Sequence, residues 1–82
     1  MMDEHSIIDA SLRGCATLAD GERLYLETIM HWRQTAPNTN VLVLSAVEHA
    51  LQSLKSKSMA GQKSIVDGWL QELAVIRHGQ AG

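Results

Sequence analysis

The sequence predicts an all-α domain, a small antiparallel bundle of three or four helices that a second copy could complete. The main observation is the stretch Val41–Leu54, where apolar residues recur every three or four positions, as along one face of a helix. The chain also has a single proline, and it lacks the alternating runs joined by turn pairs that indicate β-hairpins. Its 82 residues are enough for one domain, spanning 1–82.

The first helix is predicted over residues 5–17. Ser6 and Asp9 have the spacing of a capping box, in which side chains bond the free backbone amides at a helix start. Gly14 lies inside this helix and weakens it by up to about 1 kcal/mol relative to alanine. A second interpretation joins the first two helices into one, with Gly14 and Gly21 as its weak points.

The second helix is predicted over residues 21–35. Asp20 precedes it and can cap its first amides. Pro37 disfavours helical geometry at Ala36, so the helix should end there or just before. Its apolar spacing predicts one buried face: Tyr25, Leu26, Ile29, Met30 and Trp32.

The third helix is predicted over residues 40–56. Its start has three candidate caps: Asn38, Thr39 and Asn40. One broad apolar face is expected to be buried: Val43, Leu44, Ala46, Val47, Ala50, Leu51 and Leu54. Glu48 is expected on the opposite, outer face.

The fourth helix is predicted over residues 63–78. Ser64 and Asp67 repeat the capping spacing, and Gly79 is a suitable stop. Its buried face is predicted to contain Ile65, Val66, Trp69, Leu70, Leu73 and Ile76. Across the bundle, the centre of the core is predicted to contain Ile29, Trp32, Leu44, Val47, Leu51, Trp69 and Leu73.

Composition and charge limit the functional classes. The net charge of −2 predicts no general attraction to nucleic acid or to an anionic membrane. Cys15 is the only cysteine, so no intramolecular disulfide can form, and a reducing cytoplasm fits best. The first six residues carry two acidic side chains, Asp3 and Glu4, whereas a signal peptide has a basic start. No apolar run approaches the ~20 residues of a membrane span. We therefore expect a cytoplasmic protein without a membrane segment.

Side chains that could support catalysis or metal binding are sparse. His5 with Asp9, and Glu27 with His31, are spaced four apart, but each pair could supply only two ligands. Such pairs are usually solvated helix surface. Cys15, on an apolar face, is expected to be a small buried residue rather than a nucleophile. We expect no catalytic residue, no metal and no cofactor, and hence no enzyme.

A protein-binding role is favoured instead. Small chains have limited cores and often gain burial by associating with another chain. We expect a non-enzymatic protein of the adaptor, chaperone, antitoxin or inhibitor type that binds another protein and forms a homodimer. The candidate contact residues are small or apolar and lie off the predicted buried faces: Leu24, Leu42, Ser64, Gly68 and Val75. Gly68 within a helix would allow another helix to approach closely.

The alternative function is that of a small DNA-binding transcriptional regulator. Lys55, Lys57 and Lys63 surround the last loop and could contact phosphates near a helix start. The outer faces of the third and fourth helices carry Glu48 and Asp67, however, which would repel a phosphate backbone. Nucleic acid is therefore the less favoured partner.

Overall fold

The computed structural model describes residues 3–81, and it confirms the predicted all-α fold. Four helices follow one another with short connections: α1 Glu4–Arg13, α2 Leu18–Thr35, α3 Val41–Lys57 and α4 Ala60–Ala81. No strand occurs in this part of the chain. Within the same residues, no helix combines the length and the apolar character needed to cross a membrane.

Helix α3 is the centre of the fold, because its contacts with α4 and α1 are the most extensive between any two helices and because it also packs against α2. Two ion pairs join it to α4: Lys55 with Asp67 at 2.8 Å, and Glu48 with Arg77 at 3.2 Å. The earlier residue of α3, Glu48, pairs with the later residue of α4, Arg77, so these two helices are antiparallel. The stretch Val41–Leu54, which predicted a helix, therefore belongs to the central helix of the fold.

The first two helices are separate, and their boundary differs from the prediction. Helix α1 ends at Arg13, because Gly14 leaves the helix with φ +82°, a left-handed conformation that glycine adopts readily. The extension to residue 17 was therefore wrong. At the other end, the cap is Asp3, whose side chain accepts a hydrogen bond from the Ser6 amide at 2.8 Å. Ser6 itself is already helical.

Helix α2 begins three residues earlier than predicted. Thr17 is the cap: its hydroxyl accepts from the Asp20 amide at 3.2 Å, and the Asp20 carboxylate accepts from the Thr17 amide at 3.2 Å. The two residues form a reciprocal capping box. Asp20 thus contributes from inside the first turn rather than as the cap. The helix ends at Thr35, before Pro37, as predicted.

Helix α3 starts after Asn40, one of the three predicted caps, whose side chain accepts from the Leu42 amide at 2.9 Å. Helix α4 is longer than predicted at both ends. Its first turn forms earlier because the amides of Gln62 and Lys63 both donate to the Met59 carbonyl at 2.9 Å. It also continues through Gly79, because glycine weakens a helix without requiring it to stop.

The core consists of apolar side chains from all four helices, together with Cys15 from the first connection: Ile7, Cys15, Leu24, Val43, Leu44, Val47, Ala50, Leu51, Leu54, Val66 and Leu73. Leu44, Val47, Leu51 and Leu73 are fully buried, as predicted. Two more predicted core residues, Ile29 and Trp69, are partly buried and pack against this cluster. Trp32 is only partly buried, so its predicted position at the centre of the core was wrong.

Helix α2 is rotated relative to the prediction. It buries Leu24 and the smaller or more polar Gly21, Thr28 and His31. Leu24 is 3% exposed, so its predicted position on the outer surface was wrong. The Thr28 hydroxyl is satisfied because it donates to the Leu24 carbonyl at 2.7 Å. Gly21 explains the rotation, because Leu51 and Leu54 of α3 and Trp69 of α4 occupy the space around its missing side chain.

Two further side chains occupy the opposite environment to the one predicted. Glu48 is buried at 8% exposure, because it lies at the edge of the apolar face of α3 and Arg77 of α4 covers it. Ile65 is 47% exposed, because it lies beside the buried face of α4 rather than on it. The apolar pattern of the sequence is therefore wider than the face that the monomer buries.

Candidate functional site

The rotation of α2 leaves apolar side chains on the protein surface. Leu26 is 50% exposed and Met30 is 43% exposed, and these two residues lie one helical turn apart. Ile29, which is partly buried, lies beside them. We call Leu26, Ile29 and Met30 the outer α2 face. The sequence placed all three on the buried face of the second helix. Ile29 does pack against the core, but the exposure of Leu26 and Met30 was missed.

An aromatic pair connects this face to α4. The rings of Tyr25 and Trp69 are stacked, with centroids 5.7 Å apart and an interplanar angle of 17°. Partial burial raises the pKa of Tyr25; the Glu72 carboxylate raises it further, and the Arg33 guanidinium acts in the opposite direction. Both charged groups therefore lie close enough to influence the ring. The pair provides a fixed apolar edge beside the outer α2 face.

The other predicted contact residues belong to α3 and α4. Ser64, Gly68 and Val75 lie on one exposed side of α4, as predicted, and Val75 is 69% exposed. No atom lies within 4 Å of the position that a Gly68 Cβ would occupy. Leu42 is 67% exposed but belongs to the first turn of α3. We call Ser64, Gly68 and Val75 the α4 strip, and its contact with another chain stays a prediction.

The three lysines proposed as phosphate contacts are only partly brought together. The Lys55 ammonium donates to Asp67 at 2.8 Å, and this bond holds the pKa of the Asp67 carboxyl below its ordinary value. Lys63 lies in the first turn of α4 and lines the same groove as Lys55, whereas Lys57 is exposed in the last turn of α3. A phosphate in this groove would meet acidic as well as basic groups.

That groove lies between α3 and α4 and has a volume of about 560 Å³. Its carboxylates are Asp67 and the buried Glu48, which is paired with Arg77. One Glu48 oxygen, Oε1, is buried without a hydrogen-bond partner among the described residues. Lys55, Lys63 and Arg77 line the groove together with these carboxylates, so its charge is mixed rather than uniformly basic.

Two of the candidate reactive groups, Cys15 and His31, are buried. Cys15 is buried, as expected, and burial raises the pKa of its thiol, with Asp20 adding to the rise. A raised pKa disfavours the thiolate that a nucleophile needs. His31 is also buried, contrary to its expected place on a solvated surface. Among the described residues, no three His, Cys, Asp or Glu side chains are grouped as a metal site would require.

No family model, no curated protein and no solved structure matches this chain. The outer α2 face is the surface feature of the molecule that bears most directly on its function.

Proposed function

We propose that this is a small non-enzymatic helical protein that acts by binding another protein, as an adaptor, chaperone, antitoxin or inhibitor does. The observation that supports this proposal is the outer α2 face. Leu26 and Met30 are half-exposed, and the partly buried Tyr25–Trp69 stack and the half-exposed Ile65 continue the apolar surface onto α4. Contiguous apolar surface of this kind is typical of protein interaction sites.

The composition of this surface fits protein recognition. Aromatic residues and methionine are enriched in the centres of protein interfaces, and Tyr25, Trp69 and Met30 supply both kinds. The stacked rings are held by contacts between α2 and α4, so little side-chain freedom is lost when a partner covers them. We propose that the protein acts in the cytoplasm, because its single cysteine is free.

The proposal is tested by affinity capture from an extract of the source organism. The bait is the tagged protein, compared with a Leu26→Asp/Met30→Asp variant and a Leu12→Asp control. Leu12 is 78% exposed at the end of α1, so the control adds a charge to an apolar surface position elsewhere. We expect one protein to be retained by the wild type and by the control, and lost with the double variant.

Two results would contradict the proposal. One is that no protein is retained specifically by the wild type. The other is a salt-sensitive shift of duplex DNA that requires Lys57 and Lys63, which would support the DNA-binding alternative. Circular dichroism of each variant establishes that the fold is retained before any loss of binding is interpreted.

A further inference from the structure

The outer side of α2 carries a stripe with the spacing of a coiled-coil seam. Glu22, Leu26, Ile29 and Arg33 are separated by four, three and four residues, which places them within about 60° of one another around the helix. Glu22, Leu26 and Arg33 are exposed, and Ile29 is partly buried. We call these four residues the α2 stripe. Its apolar centre overlaps the outer α2 face, and its ends carry opposite charges.

The α2 stripe is complementary to its own reversed copy. Its midpoint falls between residues 27 and 28, so an antiparallel copy places Glu22 opposite Arg33 and Leu26 opposite Ile29. The charges of one copy lie about 16 Å apart, from a rise of 1.5 Å per residue, and the reversed copy presents the opposite charges at the same spacing. Within the described residues, the ion pairs involve neither Glu22 nor Arg33, so both are available to a second chain.

We propose that the partner bound at this face is a second copy of this chain, with the two α2 helices packed antiparallel about residues 27 and 28. This inference rests on the proposed protein-binding function and names the occupant of the same surface. A parallel arrangement would bring Glu22 against Glu22 and Arg33 against Arg33. Charges at the edges of an interface determine orientation and partner choice, so the antiparallel arrangement is selected.

The sides of the α2 stripe add to the contact. A two-fold axis between the helices brings the Met30 side chains of both copies to one edge of the interface. The Tyr25–Trp69 stack and Ile65 lie toward the other edge, where α4 of each copy approaches the seam. A stable interface buries about 1,200–2,000 Å² in total, more than one short helix pair supplies. The flanking side chains of α2 and α4 therefore belong to the same interface.

Charge exchange provides the test, with mass in solution measured by analytical ultracentrifugation over a wide concentration range. The wild type should form a species of twice the 9.0 kDa monomer mass. Glu22→Arg places Arg against Arg at both ends of the dimer, and Arg33→Glu places Glu against Glu. Each single variant should dimerise about tenfold or more weakly, because two attractive contacts become repulsive. Gln34→Glu, a charge change on an exposed residue away from the α2 stripe, should leave dimerisation unchanged.

Recombining the charges distinguishes a second copy from any other partner. Mixing Glu22→Arg protein with Arg33→Glu protein should restore a mixed dimer, because both end contacts are again opposite in sign. The Glu22→Arg/Arg33→Glu double variant should dimerise like the wild type. A monomeric wild type, or single variants that dimerise normally, would overturn the inference. A monomeric wild type that still captures a different protein through the outer α2 face would leave the proposed function standing. A charge-dependent dimer that captures no protein other than this chain would support the inference and contradict the proposed function.

Discussion

Gly21 of α2 lies directly against Leu54 of α3. A Cβ on Gly21 would overlap Leu54 Cδ2, and it would also lie 3.2 Å from Trp69 Cζ3 and 3.4 Å from Leu51 Cδ2. A side chain at position 21 would require Leu54 to move, so glycine suits this close approach of α2 to α3 and α4. The contact determines which side of α2 faces the core, and consequently which apolar side chains remain on the surface.

Substitution of Gly21 tests this relationship. Gly21→Ala should lower the free energy of unfolding by about 1–3 kcal/mol, because the added methyl overpacks the contact even though alanine favours helix. Gly68→Ala is the matched control in α4, where the added methyl meets open space, and it should raise the free energy of unfolding by about 0.5–1 kcal/mol. Urea denaturation measures both. Stabilisation by Gly21→Ala would show that α2 is not held by this contact.

Truncation at the centre of α3 should be severe. Leu51 is fully buried, and Leu51→Ala should cost about 2–5 kcal/mol through lost apolar contacts and the cavity left behind. That loss is comparable to much of the stability of a domain this small. Leu12→Ala, at a residue that is 78% exposed, should change the melting temperature little. Equal melting temperatures for the two variants would contradict the central position of α3.

The Lys55–Asp67 contact predicts a specific pH dependence. The hydrogen bond from Lys55, followed by its charge, holds the pKa of Asp67 below the ordinary value of 3.8 in the folded protein. The ionised carboxylate therefore stabilises the fold above about pH 4, and this stabilisation is lost as pH falls through the lowered pKa. Lys55→Met should raise the pKa of Asp67 toward 3.8, whereas Lys57→Met should not change it. Titration of the carboxyl groups followed by NMR measures the pKa of Asp67 in both variants. The same pKa of Asp67 in the two variants would contradict the prediction.

The α4 strip makes a separate prediction. Gly68→Glu should retain helicity, since glutamate is the better helix former, and should weaken association with another chain if the strip is a contact surface. Gly68→Ala adds no charge and keeps a small residue at this position, so it should associate more strongly than Gly68→Glu. Light scattering and partner capture measure the two variants. Unchanged association and capture with Gly68→Glu would identify the strip as ordinary solvent-facing surface.

Several features of the fold were predictable because they depend on residues that are near one another in sequence. The period of Val41–Leu54 identified α3, and Pro37 marked the end of α2. These signals act through local backbone geometry and through the apolar spacing of a single helix. The exposed side of α4 at Gly68 was predictable for the same reason.

The orientation of α2, in contrast, depends on contacts between different helices. Leu26 and Met30 look like core residues by spacing and hydropathy, and Gly21 and Thr28 do not. The fold buries the second pair, because close packing against α3 and α4 favours small side chains where the helices meet. Local sequence thus determined the helices and their approximate limits. The tertiary structure decided which side of α2 is exposed, since burial depends on the shape of the neighbouring helices as well as on the hydropathy of the residue.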